Sequence, residues 1–243
     1  LGLRFATAAP AYNTATGESV ALADAPTADT FDGVVDADLS HDGRHAILTL
    51  RKADASEDAP SMIAVYDTKT GGELARHLFD REMYQVDFIA GGKAAIISEH
   101  KFSAIPNRAE QQLLKWTWRT DEVATLMDDN PVTGLAVGPG GDRFATIEGY
   151  VDEDDNTPVG IRRLALWNAD GTRLAETPLD FNAFRIAYAP DGAHIAVSGW
   201  GFVRIFSVPD LAVVREFRHS TDRKTSRDYS VDPAPLQSGA PSI

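Results

Sequence analysis

The chain has 243 residues, 43% of them hydrophobic, and carries 23 Lys and Arg against 36 Asp and Glu, a formal net charge of −13. That length suits one large all-β domain or two small ones, and the charge argues against general binding to nucleic acid or an anionic membrane surface, which would repel it. There is no cysteine, which removes disulfides, thiolate metal sites and cysteine nucleophiles together.

No apolar run reaches the ~18 residues of a membrane-spanning helix. The chain opens at Leu1 and not at Met, which points to a piece of a longer protein. In residues 1–30, "AYNTATGE" reads as the second half of a four-stranded unit, with Tyr12 and Gly17 spaced like the later Tyr66 and Gly71. Residues 31–80 give the first full unit. Val35, Ala37 and Leu39 lead into "HDG" at Gly43, and Ala46, Ile47 and Leu48 follow it. Apolar residues on both sides of a glycine turn are the pattern of a hairpin whose strands are largely buried. "MIAVYDTKTGGELARHL" then supplies two more strands.

Residues 81–130 repeat the scheme with "FIAGGKAAII" and "LLKWTWRTDEVATLM", and residues 131–180 with "VGPGGDRFATI" and "LALWNADGTRLAETPL". Residues 181–220 give the cleanest copy, "YAPDGAHIAVSGWGFVRIFSV", read as a strand, a two-residue turn at Asp191-Gly192, a strand, a glycine loop and a strand. Residues 221–243 hold three prolines and few large apolar groups, and read as a flexible tail or a degraded start of another unit.

The turn glycines Gly43, Gly92, Gly141 and Gly192 recur at intervals of 49, 49 and 51 residues. The aromatics Tyr66, Trp116, Trp167 and Phe206 recur at 50, 51 and 39, the last interval shortened because a long loop shrinks to "SGWG". A four-stranded meander cannot bury both faces alone, and stacking such sheets about an axis buries them. The predicted fold is therefore an all-β propeller of four-stranded antiparallel blades. About four and a half blades are present, as part of a larger propeller or as a five-bladed ring closed by the C-terminal segment.

These units resemble degenerate bacterial WD40-type repeats and the propeller repeats of the TolB family. Pro190-Asp191-Gly192 matches the turn between the first two strands of that pattern. Tyr66-Asp67 and Trp167-Asn168 approximate the Trp-Asp pair that closes the third strand. The Gly-His dipeptide of well-formed WD40 repeats is absent, so its Asp–His network is not carried over.

The chemistry-bearing motifs fail on spacing. "AVSGW" lacks the first glycine of a nucleophile elbow. Histidines 41, 45, 77, 100, 194 and 219 form no ligand pair, and "GGKAA" is not a phosphate loop. Glu148, Asp152, Glu153, Asp154 and Asp155 read as one solvated acidic loop. Its Asp152-x-Asp154-x-Asn156 start resembles a calcium loop but breaks at Thr157 and Arg163. No cofactor or metal is expected.

The second-to-third-strand loops of a propeller emerge on one face. Loops 51–61, 100–111 and 148–161 would build a charged rim there, and the short fourth loop would present Trp200 beside Phe202. An aromatic beside a polar rim is a binding-surface composition. The candidate partner surface is Tyr150, Asp152, Asp154, Trp200 and Phe202. The expected function is a non-catalytic scaffold that docks a protein partner, with no nucleic acid or membrane. The alternatives are a hydrolase or lactonase with a metal in the central channel, for which Asp36, Asp38 and Asp87 are the polar residues on otherwise apolar inner strands, or a propeller accompanying a peptidase domain absent from this chain.

Overall fold

The computed structural model describes residues 10–12, 19–21, 33–51, 60–99, 112–128, 130–151 and 158–218. Strands β1 (Pro10–Tyr12) and β2 (Ser19–Ala21) form a short antiparallel pair. Four four-stranded antiparallel sheets follow, each a simple meander in chain order. The first is β3 (Gly33–Leu39), β4 (His45–Arg51), β5 (Ser61–Asp67) and β6 (Glu73–Phe79). The second is β7 (Gln85–Ile89), β8 (Ala94–Ser98), β9 (Leu113–Thr117) and β10 (Glu122–Met127). The third is β11 (Val132–Val137), β12 (Arg143–Val151), β13 (Pro158–Asn168) and β14 (Arg173–Pro178). The fourth is β15 (Ala183–Tyr188), β16 (His194–Gly199), β17 (Phe202–Ser207) and β18 (Val213–Arg218).

The first strands of successive sheets are neighbours, β3 against β7, β7 against β11 and β11 against β15. They are the innermost strands of propeller blades, and β6, β10, β14 and β18 are the outer edges. Period-two alternation divides each blade between two seams. In the third blade Phe144, Ala165 and Trp167 face the second blade, while Ala145, Ile147, Leu164 and Leu166 face the fourth.

The recurrent aromatics plug these seams. Trp116 closes the seam between the first and second blades, Trp167 the next and Phe206 the last, each at most 3% exposed. Tyr66 occupies the same place on the far face of the first blade, with Ala46, Leu48, Leu50, Met62 and Ala64, and that face is buried too. The far face of the fourth blade differs: Ala196, Ser198, Val203 and Ile205 are only half-buried, and Phe217 is 52% exposed.

The first-to-second-strand turns are longer than the two residues read from Asp191-Gly192. Ala189 and His194 are still bonded, leaving a four-residue loop in which Gly192 N–H returns to the Ala189 carbonyl. Ser40/His45 with Gly43, and Gly138/Arg143 with Gly141, repeat it. Only the glycine takes positive φ, 66° to 69° in the three copies. The aspartate caps the loop instead, accepting Ala193 N–H at 2.8 Å. That division of labour, an Asx turn followed by a left-handed glycine, accounts for the Asp-Gly pairs.

Candidate functional site

Antiparallel meanders put the second-to-third-strand ends of each blade and the described connections 80–84 and 179–182 on one face. Three connections share a pattern: Asp80, Asp128 and Asp180 each sit within three residues before the next buried anchor, Met83, Asn130 or Ala183. Ion pairs brace this rim. Arg51 bonds Glu82 across the first connection, Arg81 reaches Glu99 at 3.2 Å, and Arg204 binds Asp180 at 2.7 Å. The Arg204 guanidinium holds the Asp180 carboxyl below the usual carboxylate range.

The predicted surface residues fall in three places. Trp200 sits at the β16–β17 turn and is 72% exposed, so it does not pack between blades. Phe202, half-buried, opens β17. Tyr150, also half-buried, lies on β12 opposite Val159, in the corresponding hairpin of the third blade. Asp152 and Asp154 lie outside the described residues, as do most of the loops read as a rim. Loop 148–161 is shorter than expected, because β12 and β13 stay paired out to Val151 and Pro158.

Around Trp200 the structure gathers residues that the sequence keeps far apart. The Phe184 ring meets the indole edge-on, centroids 5.2 Å apart at 73°. Phe181 meets Phe202 at 4.6 Å and 76°. Gly199 is what lets these rings close in, since a Cβ there would lie 2.8 Å from Phe181 and 3.1 Å from Phe202. The Arg204 guanidinium lies 4.9 Å over Phe181 and also holds Glu216, so its charge is matched twice. Arg185 is exposed, and its guanidinium donates to the Phe184 carbonyl at 3.1 Å. Neither Phe184 nor Arg185 carries a sequence motif; the β15–β16 register brings Phe184 against Trp200 and sets Arg185 opposite Ser198.

Glu148 corrects the sequence reading most sharply. The solvated-loop expectation fails at this residue, which is fully buried in β12. Arg163 from β13 and Arg173 from β14 pair with its carboxylate. Thr146 donates to it at 2.8 Å and Asn130 at 3.3 Å. Arg173 also lies 4.4 Å over Trp167. Asn130 further bonds both backbone groups of Ile161, acting as a strand partner for the β12–β13 hairpin. A carboxylate so completely satisfied is structural: it locks the third blade to the connection that precedes it. The basic partners lie 15 and 25 residues downstream, beyond the reach of local charge counting.

On the innermost strands, Asp36 accepts Val86 N–H at 2.9 Å and Asp38 accepts Phe88 N–H at 2.8 Å. These bonds satisfy the inner edge of β7, which faces β3 and has no strand ladder there. Asp87 sits between them on β7. Burial first, then the charges of Asp38 and Asp36, push its carboxyl up to about 8. Among the described residues no three His, Asp or Glu side chains come together as a metal cage.

No family model matches the chain, and no curated protein matches it. Solved structures do. The Dos1 propeller superposes with a TM-score of 0.61 at 12% identity, over 90% of this chain and 55% of that one. The Cps50 (Swd1) β-propeller domain from Myceliophteria thermophila gives 0.51 at 10%, over 79% and 60%. Hydrazine synthase from Kuenenia stuttgartiensis gives 0.55 at 14%, over 85% and 66%. The chain thus spans little more than half the length of the first two. At these identities the likeness establishes the β-propeller fold, as the glycine and aromatic recurrences led one to expect.

Proposed function

We propose that the chain is a non-catalytic interaction module that docks a protein partner on its loop face. The supporting observation is Trp200, a large aromatic 72% exposed and braced edge-on by Phe184. Exposed large aromatics lose water contact at little entropic cost, and Trp and Arg are enriched among residues that dominate binding energy. On the opposite face two glycine turns lie close against neighbours: Ala90 N–H bonds the Gly141 carbonyl, and a Cβ on Gly92 would lie 2.9 Å from Ser40.

The test is cross-linking mass spectrometry on the full chain in the cells that make it. Cross-links to one partner concentrated at residues 180–185 and 199–202, and lost in Trp200→Ala, support the reading. Cross-links centred on the turn glycines of the other face overturn it.

A metal-dependent hydrolase working in the channel is the second reading, favoured by Asp36, Asp38 and Asp87 on the innermost strands. Two of these carboxylates each already accept a backbone N–H bond, from Val86 and Phe88. One stoichiometric ion in protein purified without chelator would restore this reading.

A further inference from the structure

The fourth blade, residues 179–218, carries four arginines and four acids, so its net charge is zero while the chain as a whole carries −13. Within it the two central arginines differ. Arg204 is matched by Asp180 and Glu216. Arg185 has no carboxylate partner among the described residues; its guanidinium donates to the Phe184 carbonyl. That bond ties the guanidinium to the main chain of the residue whose ring braces Trp200. A tethered cation with no carboxylate partner among the described residues therefore stands one residue from the ring that meets an exposed indole, on the least acidic blade of a strongly acidic protein.

We propose that Trp200, Phe184 and Arg185 together take a linear acidic segment of a protein partner. An apolar side chain of that segment lies against the indole, and a neighbouring carboxylate meets the Arg185 guanidinium. The rest of the acidic surface disfavours wrong registers by repulsion, which is how charge gives specificity more than raw affinity. Arginine suits the role because its planar fork pairs with a carboxylate through two parallel bonds. The proposal rests on the reading that this face docks a protein.

The experiment is a fluorescence-anisotropy titration of the full chain at low salt with two labelled peptides. Both contain a central Phe-Leu pair; one is flanked by aspartates and glutamates, the other by lysines. The acidic peptide is expected to bind despite the −13 charge of the chain. Arg185→Glu and Trp200→Ala are each expected to weaken it about tenfold or more. Arg44→Glu, a charge reversal on the opposite face at a side chain 80% exposed, leaves it unchanged. Tighter binding of the basic peptide, equal loss in Arg44→Glu and Arg185→Glu, or no binding of the acidic peptide overturns the assignment. If the acidic peptide fails while partner cross-links still map to residues 180–185 and 199–202, the chemistry proposed here falls and the docking reading survives. If the cross-links fail as well, the docking reading falls with it.

Discussion

The indole Nε1 of Trp167 donates to the Thr146 hydroxyl at 2.9 Å across the β12–β13 ladder. That hydroxyl donates onward to the buried carboxylate of Glu148. A seam-plugging aromatic is thus wired to a buried ion cluster, whose two arginines also reach the half-exposed Glu176 of β14. Glu148→Gln leaves them only that half-exposed partner and is expected to cost up to about 3–5 kcal/mol in urea unfolding. Replacing Glu148, Arg163 and Arg173 together by apolar residues should recover much of that loss, as buried ion clusters often allow. A Glu148→Gln variant as stable as the parent contradicts the assignment.

Asp87 ties stability to pH. Its carboxyl is pushed up to about 8 by burial and by its two aspartate neighbours, whereas in the unfolded chain it titrates near ~3.9. Between those values the folded protein holds the proton and the unfolded chain does not. The unfolded state then binds fewer protons, and stability falls as pH rises. Asp87→Asn removes this loss. The variant should melt above the parent at pH 8, with the gap closing towards about pH 4. A gap that stays constant, or reverses sign, is the opposing result.

Two glycines with the same backbone angle should respond differently to alanine. Gly43 has φ +68° and open space where a Cβ would stand, so Gly43→Ala carries only the left-handed penalty of roughly 1–2 kcal/mol. Gly160 has φ +71°, and its Cβ would overlap Asn130 Oδ1. Gly160→Ala must therefore also eject Asn130 from Ile161 and Glu148, and should cost clearly more than Gly43→Ala in the same denaturant series. Equal costs would show that the Asn130 clasp contributes little.

The four tryptophans separate by seam and surface. Trp116, Trp118 and Trp167 are 0%, 4% and 3% exposed against 72% for Trp200. Acrylamide should quench one component of the fluorescence, and Trp200→Ala should abolish that component while shifting stability by no more than about 0.5 kcal/mol. Trp116→Ala should cost about 3–5 kcal/mol. Retention of the quenchable component in Trp200→Ala would place another indole at the surface.

Much of the architecture was legible because it is periodic. Gly43, Gly141 and Gly192 mark identical loops, and Trp116, Trp167 and Phe206 mark identical seams, so one copy read well explains the others. The candidate site was legible only where one residue speaks for itself, as Trp200 does between two glycines. Phe184 and Arg185 are 16 and 15 residues from it in sequence, and strand register brings Phe184 against it and sets Arg185 opposite Ser198. Glu148 was misread for the same reason: four acids follow it closely, while the arginines that bury it arrive from the next two strands. Loop length was misjudged because Asp191-Gly192 marks the capped corner of a four-residue loop and not the whole of a two-residue one.

The most direct measurement is a hydroxyl-radical footprint of the full chain, free and bound to the partner recovered by cross-linking. Strong protection of Trp200 and Phe184, with the turns around Gly43, Gly141 and Gly192 unchanged, is the expected result. Protection of those turns with Trp200 still fully reactive would contradict a function carried by the loop face.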